Sequence, residues 1–120
     1  MKWSARESED VLVFEIKGGL EGGQDTYQIR DMVKEKLGQG HRKFLINLDK
    51  VDFVNSTGIG IIAAVYMAIS SSGGKMKISN ANEKVSRVMM ITKLLDVFES
   101  YKSEDDALAS FRSWTSTENP

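Results

Sequence analysis

Residues 55–60 read Asn-Ser-Thr-Gly-Ile-Gly and open an apolar run, Ile59–Ile69. Two hydroxyls beside two glycines at a helix mouth suit one chemistry above others: holding or accepting a phosphate. A helix beginning near Ser56 leaves its first N–H groups without intrahelical partners, and its dipole puts partial positive charge there. An anion, or a phosphate attached to a side chain, is well placed at such an end. Gly58 and Gly60 keep bulk away from it. Nucleotide binding fits poorly. A phosphate-binding loop needs a lysine followed by Ser or Thr after its last glycine, and here Gly60 is followed by Ile61 and Ile62. The dinucleotide fingerprint also fails, because Ala63 stands three residues after Gly60 and no acidic partner follows about 20 residues on. The same residues have a purely structural use: Asn55 or Ser56 caps the helix and the glycines serve a tight turn. Asn55-Ser56-Thr57 also matches the glycosylation acceptor pattern, which has no force without a secretory signal.

Other residues that could do chemistry are scattered. His41 is the only histidine and sits in a connection, Gly-Gln-Gly-His-Arg-Lys. Asp49 and Asp52 follow a strand, where solvated acids are common. Lys93 falls near a helix end, where a cation complements the dipole. No Ser-His-Asp set forms without His41, which belongs to a different element. The absence of cysteine removes disulfides, thiolate nucleophiles and zinc-thiolate sites. Met67, Met89 and Met90 read as core or interface filler, and Trp3 and Trp114 as anchors near the ends. These observations predict no cofactor, no metal and no catalysis.

The whole chain sets further bounds. Its 120 residues predict one domain spanning 1–120, with 116–120 frayed. Net charge is −1, with 16 basic and 17 acidic residues intermixed, so no basic stripe marks a nucleic-acid surface. The first ten residues lack an apolar signal segment. The longest apolar run is far shorter than the roughly 17–25 residues of a membrane span, which predicts no membrane insertion. A cytoplasmic location is the expectation.

Periodicity then places the elements. Residues 2–8 and 11–18 form a hairpin turning at Glu9–Asp10, and 18–23, with four glycines in Gly-Gly-Leu-Glu-Gly-Gly, form a loop. A helix follows, capped by Asp25 with Gln28 in the capping-box position and carrying Ile29, Met32, Val33 and Leu37 inward. Residues 43–49 form a strand, the opening motif starts a helix reaching about Ser71, and 75–79 form another strand. Asn82 caps a helix bearing Val85, Val88 and Met89. Residues 97–100 form a short strand, and Ser103 caps a last helix whose inward stripe is Ala107, Leu108, Phe111 and then Trp114. Strands alternating with helices imply crossover units and a mostly parallel sheet with an antiparallel N-terminal edge. The central helix is apolar almost all round. Ile62, Val65, Tyr66 and Ile69 make a stripe for the sheet; Ile59, Ile61, Ala64 and Ala68 are left over, and an uncovered apolar face suggests a partner surface.

Two stretches, Ile46–Ala64 and Ser70–Glu99, resemble the STAS-domain anti-sigma factor antagonists. The pattern is an apolar strand with a Leu-Asp pair, then Ser, Ser/Thr, Gly, an aliphatic and Gly, then Gly-Gly before a strand and Asn after it, over nearly the whole chain from Val11 to Phe111. The resemblance implies an α/β, STAS-like mixed sheet of about four to five mostly parallel strands with four helices and an N-terminal hairpin edge. It implies a binding switch that engages an anti-sigma factor serine kinase, is turned off by phosphorylation and is reset by a PP2C-type phosphatase. Carried over by position, Ser56 is the phosphoacceptor with Thr57 as backup, and Thr57, Gly58 and Gly60 fill the following motif positions; together with Asn55 and the left-over apolar residues Ile59, Ile61 and Ala64 they are the expected partner contact. Asn55 departs from the family, which usually has an acidic residue before the serine. Similar domains also serve as regulatory subunits of lipid-transport ABC ATPases or in stress-signalling assemblies, which is the alternative the resemblance carries.

Overall fold

A computed structural model describes residues 2–94 and 97–114. The element order is β1 (Lys2–Ser8), β2 (Val11–Leu20), α1 (Gln24–Gly38), β3 (Lys43–Val54), α2 (Ser56–Ser71), β4 (Lys75–Ser79), α3 (Glu83–Ile91), β5 (Ser100–Tyr101) and α4 (Glu104–Phe111). The strands form one sheet in the order β1-β2-β3-β4-β5. β1 is antiparallel to β2, and every later pairing is parallel. The tight β1–β2 turn puts Glu9 and Asp10 at φ 52° and 67°, as a two-residue hairpin turn requires.

Chirality decides where the helices go. The crossovers from β2 to β3, β3 to β4 and β4 to β5 all step the same way across the sheet. Right-handed connections stepping one way put their helices on one face. So α1, α2 and α3 share a face, and their core joins Leu12, Phe14, Phe44, Ile46 and Ile78 to Ile29, Ile62, Val65, Ile69, Val85 and Met89. The alternate strand residues Val11, Val13 and Leu45 point the other way and meet Ala107, Leu108 and Phe111 of α4. Lys77 is buried on that second face, where its ammonium donates to Ser110 Oγ at 2.7 Å and lies 4.7 Å from the Phe111 ring centroid.

Several local expectations change, among them the end of β3, which runs on past the expected residue 49 to Val54 and so takes Asp49 and Asp52 into the strand. Residues 18–20 are strand, not loop: β2 runs to Leu20, and Gly18, Gly19 and Leu20 pair with Val51, Phe53 and Val54. Register shifts between Glu15 and Lys17 and between Gly18 and Gly19 fit the glycines to a longer β3, so pairing with a neighbour overrides their poor strand propensity. The expected strand at 97–100 contracts to Ser100–Tyr101; residues 97–99 are a turn, with Glu99 at φ 49° and Phe98 fully buried. α1 begins after Gly23, ahead of the expected cap at Asp25. The caps Asn82 and Ser103 are as expected, accepting from Val85 N at 2.8 Å and Asp106 N at 3.1 Å. α4 ends at Phe111, so Trp114 lies beyond the helix and is half-buried. The tail expected to fray, 116–120, falls outside the described residues.

Candidate functional site

The site is the junction of β3 and α2, at the C-terminal end of the central strand of the sheet. Asn55 leaves β3 in extended conformation, φ −118° and ψ 178°, and caps α2 by accepting from Gly58 N at 2.9 Å. Its own N–H donates to Leu20 O at 3.2 Å, tying the helix entry to the end of β2. Because Asn55 does the capping, the hydroxyl of Ser56, the first residue of the helix, carries no structural hydrogen bond among the described residues. Ser56 and Thr57 are both exposed. No carboxylate occupies the first turn of α2.

The two motif glycines have opposite surroundings. A Cβ on Gly58 would stand 2.0 Å from Leu20 O and 2.5 Å from Leu20 C, so the first turn of α2 rests directly on the β2 backbone. A Cβ on Gly60 would meet nothing within 4 Å. Gly58 is demanded by the fold, and Gly60 is not. Gly22 reinforces the junction, since a Cβ there would come within 2.4 Å of the Thr57 methyl.

The sheet-facing stripe is as predicted: Ile62, Val65 and Ile69 are buried, and the half-buried Tyr66 ring lies 5.7 Å from Phe98. The expectation that Ile59 and Ile61 remain uncovered is not met, since they are only 5% and 6% exposed. The reason is tertiary. Ile59 joins the core over the sheet, and Ile61, about 200° further round the helix, is closed off by other neighbours of α2, along which α1 packs. What stays open is a single face running Ser56, Gly60, Ala64 and Met67, the last 65% exposed. That face follows helical spacing of four, four and three. Ala68 is half-buried.

Phe53 joins this surface and was not singled out from the sequence. It is 45% exposed, stands three residues before Ser56, and lies over Gly19, whose Cβ would be 3.6 Å from the ring. Strict alternation from the buried Val51 would have sent Phe53 inward. The register shift at Gly18–Gly19 turns it out, and the glycine pair opposite was the only signal. The Glu21 carboxylate lies by the same Gly19, and Asp52 is exposed nearby, so the surroundings of Ser56 include acids. His41 is not brought to the site. It precedes β3 while Ser56 follows it, and a strand of 12 residues separates them, roughly 35 Å at 3.3 Å per residue. Asp49 is exposed, and Lys93 follows α3 at φ 62°. Among the described residues no three His, Cys, Asp or Glu side chains converge as a metal site, and no helix is long and apolar enough to cross a membrane.

The site is thus an exposed hydroxyl at a capped helix end, beside an open face of small and apolar residues that a partner can meet. The STAS domain family profile matches residues 2–107. A candidate anti-sigma factor antagonist of Thermotoga maritima is 33% identical over 78 residues, covering 65% of this chain and 69% of that one. The anti-sigma-B factor antagonist of Bacillus subtilis is 30% identical over 94 residues, covering 75% and 85%. In structure, the phosphorylated form of the Bacillus cell fate determinant SpoIIAA superposes with a TM-score of 0.75 at 18% identity, covering 92% of this chain and all of that one, which is a likeness of fold. The chain belongs to the STAS-domain family of anti-sigma factor antagonists.

Proposed function

We propose that this protein is an anti-sigma factor antagonist that works as a phosphorylation switch at Ser56. In the unmodified state the face formed by Ser56, Gly60, Ala64 and Met67, with Phe53 beside it, docks on an anti-sigma factor serine kinase. The kinase transfers the γ-phosphoryl group of ATP to Ser56 Oγ; the hydroxyl proton goes to a base on the kinase and ADP leaves. A PP2C-type phosphatase hydrolyses the ester, returning the hydroxyl and inorganic phosphate. Asn55, Thr57 and Gly58 act from within the chain by fixing the helix end. Ile59 and Ile61 support the face from below. The protein is the bound partner in this cycle and not the enzyme.

The observation that carries this reading is the division of labour between Asn55 and Ser56. Asn55 satisfies Gly58 N, so Ser56 is free to be modified without loss of the cap. A phosphate adds about −1.5 to −2 charge at pH 7, and a helix N-terminus tolerates it. The fold is therefore retained while the docking face becomes strongly anionic. Asn55 also matters by what it lacks. A neutral cap puts no carboxylate next to the phosphate, so the modified state is spared a like-charge contact that an acidic residue there would impose. The reading also draws support from a relative, since SpoIIAA, which shares the fold, is itself described in a phosphorylated form.

Incubation with ATP and an anti-sigma factor serine kinase from the same genome, followed by mass spectrometry, tests the proposal. Phosphate is expected on Ser56, with Ser56→Ala blank and Thr57→Ala still modified. Modification undiminished in Ser56→Ala would refute it.

A further inference from the structure

The far side of the sheet edge carries a second surface that the switch does not use. β1 is a terminal strand seven residues long, and among the described residues no main-chain group pairs with its outer edge. The opposite edge offers much less, since β5 has two residues. A long unpaired edge is a template for an added strand. Beside it runs a groove of about 330 Å³, lined by Trp3 of β1 and by Gln28, Asp31, Met32 and Glu35 of α1. Those four α1 residues share one helical stripe, distinct from Ile29 and Val33, which are buried. Trp3 packs against Phe14 at 5.9 Å between ring centroids, and Met32 is half-buried, so the floor is apolar and held in place. The rim is acidic. The Asp31 side chain is 67% exposed, and among the described residues its one ion pair, to Arg30 next in sequence, is long at 3.4 Å. Glu35 is exposed, with no cation against it among the described residues.

We propose that this edge and groove receive an extended, cationic segment of a partner protein, which adds to the sheet as a sixth strand beside β1. Main-chain hydrogen bonds to β1 hold such a segment, and its alternate side chains enter the groove and select the sequence. An aliphatic side chain meets Trp3 and Met32. A lysine or arginine at a neighbouring alternate position reaches Asp31 and Glu35. The competing occupant is a second copy of this chain, and charge decides against it. Continuing the sheet antiparallel, with the helices kept on one face, pairs residues of like orientation about Ser4, Ala5 or Arg6. Centring on Ala5 sets Trp3 opposite Glu7 of the second copy and adds another carboxylate to an acidic groove. Centring on Ser4 sets Lys2 opposite Arg6 of the second copy, and centring on Arg6 crowds two guanidinium groups that each already serve Glu104 and Glu15 of their own chain. Like charges directly opposite destabilise a strand pair.

The test is selection of a phage-displayed library of randomised short peptides on the immobilised protein, followed by mapping of the enriched peptides by amide NMR. The expected peptides alternate aliphatic with Lys or Arg, shift the amides of residues 2–8 and 28–35, and slow hydrogen exchange along β1. The double variant Asp31→Lys, Glu35→Lys changes two exposed helix positions, so its circular dichroism should be native while its affinity for those peptides falls at least about tenfold. Failure to enrich any peptide overturns the proposal, as do enriched peptides without a cation, shifts confined to α2, or equal affinity in the double variant. Concentration-dependent dimers with protected β1 amides would assign the edge to a second copy and overturn it equally.

Discussion

Replacing each motif glycine by alanine separates the fold's demands from the partner's. At Gly58 the new methyl would lie 2.0 Å from Leu20 O and 2.5 Å from Leu20 C. Both are backbone atoms of a fully buried residue, so neither can swing aside as a long side chain would. Either α2 lifts off the end of β2, or the Asn55 N–H bond to Leu20 O and the Asn55 cap on Gly58 N are disturbed. Overpacking of this kind costs about 1–3 kcal/mol, and a lost cap adds about 1. Gly58→Ala should therefore destabilise by about 2–4 kcal/mol. At Gly60 nothing lies within 4 Å of the methyl, and alanine is better than glycine in a helix interior by about 0.8–1 kcal/mol. Gly60→Ala should therefore stabilise the protein by nearly that amount. Urea denaturation followed by circular dichroism measures both, as midpoint shifts in opposite directions at unchanged m-value. If the proposed docking face is right, the same Gly60→Ala protein should bind the proposed kinase partner at least about tenfold more weakly, because its methyl stands on that face. A destabilised Gly60→Ala, or a Gly58→Ala within about 0.5 kcal/mol of wild type, would refute the steric reasoning. A stabilised Gly60→Ala that binds the kinase as well as wild type would leave the fold argument standing and remove this face from the interface.

Ser56→Asp should keep thermal stability within about 1 kcal/mol of wild type, since an acid in the first turn is favoured by the dipole, yet lose kinase binding by at least about tenfold in a pull-down titration. Asn55→Ala should cost about 1 kcal/mol by loss of the cap, whereas Asn55→Asp should keep the cap and slow phosphorylation of Ser56 in a kinase assay. At the other face of the sheet, burial raises the Glu104 carboxyl, but hydrogen bonds from Arg6 and Asn47 and the charge of Arg6 outweigh it, leaving the pKa below 4.5. A depressed pKa in the folded state means stability that is present above the ordinary carboxylate pKa and lost as pH falls through the lowered one. Glu104→Gln should therefore flatten the acid limb of a stability-versus-pH curve, with little change in its slope above neutrality.

The order of elements was legible because each carries its own periodicity and its own punctuation. Asn82 and Ser103 announced caps that depend only on the next three residues. The hairpin turn was legible for the same reason, since Glu9–Asp10 separates two strand patterns. The errors fell where a local preference met a distant neighbour. Gly18 and Gly19 have no strand preference of their own, and only the adjacent β3 holds them in the sheet. The contraction of the last strand to Ser100–Tyr101 likewise reflects Phe98 turning into the core, which its short apolar run does not reveal.

The sequence by itself therefore determined the α/β order, the parallel sheet and the presence of a capped helix end with hydroxyls at residues 56 and 57, because those features are local and repeat at fixed spacing. The tertiary structure alone decided which apolar residues of α2 are surface. Ile59 and Ile61 are covered by neighbouring elements, while Phe53 was turned outward by a register shift against Gly18 and Gly19. It alone distinguished Gly58, pressed on Leu20, from Gly60, facing open space. Burial is a property of what stands opposite a residue, and that neighbour lies tens of residues away along the chain.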